Sequence, residues 1–224
     1  MTINKIFPDI NLAQRVAIKL NVNNVNVNVN DNVELSKLVE VDNLHAINCD
    51  IKDLTGIEYL SNLASLSLAN NQTSSVEPLR NLTNLTFLNL SHCQINNLEP
   101  LSNLTNLTFL NLSHCQINNL EPLSNLTNLE VLELNNNQIS DLRPISNLIK
   151  LEQLALNNNQ ISDLRPIANL IKLESLLLHG NQIPNIEPLK NLTNLADLSS
   201  GVLASDIKSV KPLKNLTDLI NISL

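Results

Sequence analysis

The sequence predicts an α/β repeat fold: a curved, right-handed solenoid with parallel β-strands on its concave face, 3₁₀ or short helical returns on its convex face, and a helical N-terminal cap. The block "NLTNLTFLNLSHCQINNLEPLS" fills residues 81–102 and recurs letter for letter in residues 103–124. A second block, "NNNQISDLRPISNLIKLE" at Asn135, returns at Asn157 with one residue changed. Leucines also recur with a constant spacing through most of the chain. A close-packed globular core cannot easily accept a duplicated block, whereas a stack of repeats can.

The repeating unit follows the frame L-x-x-L-x-L-x-x-N-x-I-x-x-L-x-x-L-x-x-L-x-x, whose period is typical of leucine-rich repeats. Its first position falls on Val41, Leu63, Leu85, Leu107, Leu129, Leu151, Leu173 and Leu195. The next frame starts at Leu219, two positions later than the constant spacing would place it. We therefore predict a cap in residues 1–40, eight repeats in residues 41–218, the last of them longer by two, and the start of a further, truncated repeat in residues 219–224.

Residues 1–40 do not follow the frame, and two short helices are predicted in them. In "PDINLAQRVAIKL", Asp9 is a candidate N-cap, and apolar residues recur on one face from Leu12 onward. In "DNVELSKLVEV", Asp31 and Glu34 have the spacing of a capping box. The tract "NVNNVNVNVN" between them alternates with period two, which fits either a strand or a flexible connector. The helices are expected to cover the first strand, because a solenoid needs a cap over the open end of its core.

Within each repeat, the L-x-x-L-x-L segment predicts a short strand, and the following L-x-x-L-x-x-L half predicts a 3₁₀ or helical return. Proline recurs at one place in the return, at Pro78, Pro100, Pro122, Pro144, Pro166, Pro188 and Pro212. Its fixed φ and missing N–H suit the first turn of a helix. One repeat buries too few aliphatic side chains to offset the entropy of ordering it, so stability is expected to come from the faces that neighbouring repeats share.

The last predicted repeat departs from the period. Two extra residues fall after Leu195, and Gly201 in "SSGVLASD" marks the expected turn. The final frame starts at Leu219 and has no cap over its apolar neighbours. This end is expected to be weakly held, and self-association through it is possible because an open strand edge pairs readily with another chain.

The sequence resembles the internalin family of bacterial leucine-rich repeat proteins over nearly the whole chain. "INKIFPDINLAQRVAIKL" and "CDIKDLTGIEYLSNL" resemble the family's helical cap and first repeat, and "NQISDLRPISNL" resembles its repeat unit. The resemblance implies a curved, parallel-stranded solenoid whose concave face binds a protein partner. In known internalins that partner is a host-cell surface receptor.

Composition and motifs exclude several classes of function. The net charge is −7 and no run of Lys or Arg is present, which argues against nucleic-acid binding. No apolar run reaches about 18 residues, so no membrane span is predicted. With three glycines the chain has no phosphate-binding loop, and it has no HExxH or GxSxG motif, so we expect neither an enzyme nor a cofactor. "MTINKIFPDINLAQ" lacks the apolar core of a signal peptide, which predicts a cytoplasmic protein, or a secreted or cell-surface one whose signal has been removed.

Position nine of the frame predicts an inward-facing ladder of side chains that bond the backbone of the turn. Its members are Cys49, Asn71, Cys93, Cys115, Asn137, Asn159 and Asn181. In both copies of "SHCQ" a histidine precedes the cysteine, but adjacent residues at this position point in opposite directions. A zinc site or a Cys–His nucleophile needs convergent side chains, so structural thiols are the main prediction. A disulfide between Cys93 and Cys115 is geometrically conceivable, because neighbouring strands lie about 4.8 Å apart.

The residue before the second leucine of each frame is predicted to face outward on the concave side. Phe87 and Phe109 occupy this column on neighbouring strands, followed by Val131. Exposed aromatic residues are generally avoided, so this apolar spot indicates a surface kept for a partner. The alternative is that Phe87 and Phe109 are one residue copied with the duplicated block.

Charged and titratable residues border the apolar spot. Glu130, Glu152 and Glu174 fall one position earlier in the frame, and His92, His114 and His179 fall near the strand ends. Like charges one strand apart cost stability, which favours a functional role for the glutamates. The resulting hypothesis is a protein–protein interaction scaffold that binds an unidentified protein through the Phe87/Phe109 spot, flanked by Val131 and by His92 and His114. The three glutamates would steer a basic region of that partner.

Two other functions fit the same pattern. One is a structural, engineered or decayed repeat array without a specific partner. The other is a cytoplasmic regulatory adaptor resembling the short leucine-rich repeats of phosphatase-regulator subunits.

Overall fold

The computed structural model describes residues 1–20, 28–199 and 221–223. Its main feature is one parallel sheet of nine short strands, arranged in chain order from β1 to β9. The strands are β1 Asn43–His45, β2 Ser65–Ser67, β3 Phe87–Asn89, β4 Phe109–Asn111, β5 Val131–Glu133, β6 Gln153–Ala155, β7 Ser175–Leu177, β8 Asp197–Ser199 and β9 Asn221–Ser223. The predicted parallel-stranded solenoid is confirmed, because each unit contributes one strand that pairs in parallel with the strand of the preceding unit.

The strand register follows the sequence period. Phe87 pairs with Phe109, and every pair from β1 to β8 joins residues at the same position of successive frames. Asp197 pairs instead with Asn221, two positions beyond the constant spacing. The offset from β8 to β9 is therefore two residues longer than the offset between the other neighbouring strands. The predicted turn at Gly201 and the open C-terminal end lie outside the described residues.

The returns are short 3₁₀ helices on the side of the coil opposite the strands. They span Ile57–Tyr59, Glu77–Leu79, Glu99–Leu101, Glu121–Leu123, Arg143–Ile145, Arg165–Ile167 and Glu187–Asn191. All but the first carry the predicted proline in their opening two residues, where no intrahelical hydrogen bond needs its missing N–H. Pro212 lies outside the described residues.

The core is a continuous aliphatic column that runs through all the described repeats. Frame leucines and isoleucines fill it, such as Leu85, Leu88 and Ile95 in the third repeat, each fully buried. Phe7 of the cap is the one buried aromatic residue in the described part of the chain. Since adjacent repeats enclose each leucine, the core exists only where repeats stack.

Three helices form the N-terminal cap: α1 Ile3–Ile6, α2 Ile10–Leu20 and α3 Leu35–Leu38. Helix α2 packs against β1 and buries Leu12 and Val16, as predicted. Asp9 is its N-cap, because its Oδ1 accepts hydrogen bonds from the N–H groups of Asn11 at 2.9 Å and Leu12 at 3.1 Å.

The predicted capping box at Asp31 is wrong. Helix α3 starts at Leu35, and its N-cap residue is Glu34, which makes no side-chain capping bond. The Asp31 carboxylate instead accepts a hydrogen bond from the Asn28 N–H at 2.7 Å, and its carbonyl accepts one from Ile3. Contacts with α1 thus hold Asp31 in a turn, too far from α3 to cap it. Residues 21–27, most of the alternating tract, lie outside the described residues.

Candidate functional site

The concave surface is built from alternate residues of each strand. The middle residue of every strand from β1 to β8 is a buried leucine, so the first and third residues face the opposite side of the sheet. The first residues form the column Asn43, Ser65, Phe87, Phe109, Val131, Gln153, Ser175 and Asp197. The third residues form a second column: His45, Ser67, Asn89, Asn111, Glu133, Ala155, Leu177 and Ser199.

Phe87 and Phe109 form a stacked pair on this surface. Their ring centroids lie 4.4 Å apart with an interplanar angle of 10°. Both rings are partly exposed, as is Val131 on the next strand. Three apolar side chains on adjacent strands therefore present one continuous patch to solvent, in the positions that the frame predicts.

The three glutamates lie beside one another, each immediately before the first residue of β5, β6 or β7. The Glu152 N–H donates to the Glu130 carbonyl at 2.8 Å, and the Glu174 N–H donates to the Glu152 carbonyl at the same distance. Glu130 and Glu174 are exposed and Glu152 is half-buried. Among the described residues, no cation lies within ion-pair distance of these carboxylates, so the column is a strip of uncompensated negative charge.

The second column contains a group that the sequence analysis missed. Val131, Ala155 and Leu177 line a shallow depression of about 70 Å³ on the concave face, together with Glu133. The sequence carries a signal for this group, since residues two apart in a strand share a face. Apolar side chains therefore continue for two strands beyond Val131, through Ala155, which is only 8% exposed, to the half-buried Leu177. The polar residues Gln153 and Ser175 line the same depression.

Glu133 is half-buried beside this depression. Its Oε2 accepts a hydrogen bond from Asn111 Nδ2 at 2.5 Å, which is its one polar side-chain contact among the described residues. Burial raises the pKa of Glu133 above its usual range, and the Asn111 bond only partly opposes this. The carboxylate thus faces the concave surface with no cation within ion-pair distance among the described residues.

The two duplicated histidines also stack. His92 and His114 have ring centroids 4.0 Å apart at 14° and adopt left-handed backbone conformations, with φ of 56° and 60°. They lie past the C-terminal ends of β3 and β4, at the opposite end of these strands from the glutamate column. Burial and the neighbouring His92 charge lower the pKa of His114. His179 falls one frame position earlier, so it does not belong to this stack.

The ladder at position nine ties each turn to its neighbours. Asn137 Nδ2 donates to the carbonyls of Leu112 at 2.9 Å and Leu134 at 3.0 Å, and its Oδ1 accepts from the N–H groups of Cys115 and Ile117. Asn71 makes the equivalent four bonds. Asn159 and Asn181 likewise donate to two carbonyls and accept from the isoleucine N–H of the preceding repeat.

The cysteines fill the same position with fewer bonds. Cys93 and Cys115 are buried, and their thiols donate to the carbonyls of Leu68 at 3.3 Å and Leu90 at 3.1 Å. Burial raises the pKa of the Cys115 thiol to about 12 and also raises the pKa of Cys93. The expectation of burial is wrong for Cys49, which is only half-buried, because it belongs to the first repeat and no earlier repeat covers it.

Other chemistry finds little support in the described part of the chain. All three thiols are free, so no disulfide joins Cys93 and Cys115. The histidine beside each buried cysteine is exposed, so the two side chains do not converge. Across residues 1–20, 28–199 and 221–223, no three His, Cys, Asp or Glu side chains are grouped to hold a metal. Nor does this part of the chain contain a helix with the length and apolar character needed to cross a membrane.

Comparison with known proteins gives a consistent family assignment. The family model described as "Leucine-rich repeat region" matches residues 87–224. The crystal structure of internalin C2 from Listeria monocytogenes aligns with a TM-score of 0.94 at 38% identity, covering 100% of this chain and 96% of that one. Internalin InlF from the same organism aligns with a TM-score of 0.89 at 34% identity, covering 98% and 70%.

A third structure shows likeness of fold alone. It is the functional domain of InlJ from Listeria monocytogenes, described as including a cysteine ladder, with a TM-score of 0.53 and 21% identity over 100% of this chain and 61% of that one. Among curated proteins, none matches this chain significantly.

Proposed function

Because the chain belongs to the internalin-like leucine-rich repeat proteins, we propose that it is a protein-interaction scaffold whose concave face binds a protein through the Phe87/Phe109 pair. The fold supports protein binding in general, and the proposal adds the place where binding occurs. Val131 extends the apolar contact, and Glu130, Glu152 and Glu174 attract a basic region of the partner.

The observation that carries the proposal is the partly exposed aromatic stack. Two phenylalanines, 4.4 Å apart, stand on a rigid sheet that is fully paired on both sides of them. Aromatic anchors on a preorganised surface contribute most of the binding energy in many interfaces. The rings project away from the leucine core, so stability alone does not require them. This supports the scaffold over a structural array without a partner.

The glutamate column has a different role in the proposal. Exposed charges at the rim of an interface contribute mainly to the rate of encounter and to its salt dependence. The three glutamates are stacked one strand apart and have no counter-ion among the described residues, a costly arrangement for a surface with no function. A partner with Lys or Arg at this edge would relieve the repulsion.

The proposal is tested with the intact chain as bait and a variant that removes both rings. Proteins retained by the wild type are compared with those retained by Phe87→Ser/Phe109→Ser and by the control Tyr59→Ser. Tyr59 is an aromatic residue that is 45% exposed and lies on a 3₁₀ return of the convex side. Its replacement therefore removes an aromatic ring from a surface outside the proposed site. We expect the double variant to weaken binding of a true partner by about 2 kcal/mol or more, while the control leaves binding unchanged.

Charge reversal separates steering from anchoring. Replacing Glu130, Glu152 and Glu174 by Lys should slow association and flatten its salt dependence, with a smaller effect on dissociation. Equal retention of every protein by the wild type and the double Phe variant would refute the proposed site. Unfolding of the double variant would show instead that the rings belong to the core.

A further inference from the structure

The row of apolar side chains on the concave face crosses five strands rather than three. Phe87, Phe109 and Val131 are the first residues of β3, β4 and β5, and Ala155 and Leu177 are the third residues of β6 and β7. Val131, Ala155 and Leu177 line one depression, which joins the two columns and is also lined by Gln153, Ser175 and Glu133. We call these five residues the apolar stripe. It runs obliquely across the concave face.

The length of the stripe limits what can lie on it. Neighbouring strands are about 4.8 Å apart, so four strand steps span about 19 Å. An α-helix covers that length with about thirteen residues, and an extended peptide covers it with about six. Protein segments of either length are common, so length does not decide between a helix and an extended peptide. The hydrogen bonding of the segment's backbone does.

The sheet offers no backbone partners to a segment on its face. Strands β3 to β7 are each paired in parallel with a neighbour on both sides, so their N–H and C=O groups are already bonded. An extended peptide lying on the stripe would lose water from its backbone without gaining these bonds. A helix satisfies its own backbone groups and presents a row of apolar side chains to a groove.

Negative charge on both sides of the apolar stripe favours a binding segment that carries positive charge. Glu130, Glu152 and Glu174 lie along one side, and Glu133 lies on the other, half-buried and bonded only to Asn111 among the described residues. Burial already raises the pKa of Glu133, so a cation beside it would relieve a charge that is poorly hydrated. Each described ion pair of the protein lies elsewhere, on the cap or at the convex returns.

We propose that the apolar stripe binds a basic amphipathic α-helix of the partner protein, about thirteen residues or longer, with one Lys or Arg placed beside Glu133 and others facing Glu130 and Glu152. The inference rests on the proposed function and adds the class of segment that is recognised. It also assigns a partner-anchoring role to Glu133 and Leu177.

The test uses a display library of random peptides, each about 16 residues long so that a helix can span the stripe, selected on the intact chain. We expect the recovered peptides to carry apolar residues at i, i+3 or i+4, and i+7, with Lys or Arg beside them. Circular dichroism of a recovered peptide should show a gain of helix on mixing with the chain. Affinity is then measured by titration calorimetry against a panel of variants.

The panel distinguishes this inference from the proposed function. Phe87→Ser/Phe109→Ser should lower the affinity for the peptide at least about 30-fold. Leu177→Ser and Glu133→Gln should each lower it at least about 5-fold. The control is Ile171→Ser, which removes an apolar side chain that is 57% exposed but lies outside the stripe. It should leave affinity unchanged. Glu133→Gln keeps size and hydrogen bonding, so it stays informative if Leu177→Ser disturbs folding.

The possible contrary results separate failure of the helix inference from failure of the proposed function. Some recovered peptides could require the phenylalanines and still contradict a basic helix. They would have apolar residues at every second position, carry no Lys or Arg, or bind equally well to Leu177→Ser and Glu133→Gln. Any of these results would overturn the inference of a basic helix and leave the proposed site unaffected. Recovery of no peptide would also overturn it, while the bait experiment would still decide the proposed function. Peptides that bind equally well without the phenylalanines would overturn both.

Discussion

At the scale of the residue, the ladder at position nine shows how two residue types perform one structural task unequally. An asparagine there donates to two carbonyls and accepts from the backbone of the preceding repeat, as Asn137 does. Cys115 donates one short bond, to Leu90, and a long one to Ser113 at 3.5 Å. Sulfur is a weak acceptor, so the N–H groups of Cys93 and Ile95, which an asparagine would bond, have only a poor partner.

Replacing Cys115 by asparagine should therefore stabilise the protein. The carboxamide would accept from both N–H groups, and we expect the free energy of unfolding to rise by about 1–2 kcal/mol. Denaturation in urea measures the change. The reciprocal variant Asn137→Cys provides the control and should lower stability by a similar amount. A decrease in both variants would mean that the turn around Cys115 differs from the asparagine turns.

At the scale of the element, Asp9 connects the helical cap to the first repeat. Its Oδ1 caps α2, and its Oδ2 accepts from the N–H groups of Lys52 at 2.8 Å and Asp53 at 3.2 Å. Burial by itself raises the pKa of Asp9, but these four N–H donors outweigh it, and the net result is a lowered pKa. One carboxylate thus fixes the start of a helix and its position against the repeats.

Asp9→Asn should loosen the cap, because an amide has one acceptor oxygen where the carboxylate has two. We expect a loss of about 1–2 kcal/mol at neutral pH, seen as faster hydrogen exchange in α2. Since the folded pKa lies below the unfolded one, the wild-type advantage is present above about pH 4 and disappears as the pH falls through the lowered folded pKa. Asp53→Asn serves as the control, because the Asp53 side chain bonds only its own turn. A wild-type advantage that does not shrink as the pH falls below about 4 would contradict the assignment.

At the scale of the whole molecule, the fold is a one-dimensional stack whose units contact only their neighbours. The strands from β1 to β8 keep one constant offset along the chain, and identical blocks form β3 and β4 with equal register. Because the pairing repeats at a constant offset from β1 to β8, we expect the solenoid to tolerate the loss of a whole unit better than the loss of part of one.

Deleting residues 103–124 should leave a folded protein with one strand fewer. We expect its far-UV circular dichroism spectrum to be close to that of the wild type. The m-value of urea unfolding should be lower, in proportion to the surface that the missing unit buried. The deletion also removes one phenylalanine of the stack, so partner binding should weaken although the fold is kept. Deleting residues 103–113, half a unit, should abolish cooperative folding, since strands would then face returns. Cooperative unfolding of the half-unit variant would contradict the stack.

Much of this architecture could be predicted from the sequence because it is periodic. A position such as Leu88 meets the same kind of neighbour in every unit, so the repeat frame predicts strand, return, proline corner and inward ladder together. The prediction failed where that periodicity ends. Asp31 bonds to the turn at Asn28 instead of capping α3, and Cys49 is half-exposed, because the cap and first repeat each have a unique neighbour.

The sequence by itself therefore determined the repeat length, the register of the strands and the column that holds Phe87 and Phe109, because these depend on spacing along the chain. Only the tertiary structure decided how the two columns meet, where Val131, Ala155 and Leu177 enclose one depression, and how far Glu133 is withdrawn from water. Depth and burial depend on the sizes of side chains on neighbouring strands, which lie a whole repeat apart in sequence. Spacing within one unit carries no information about them.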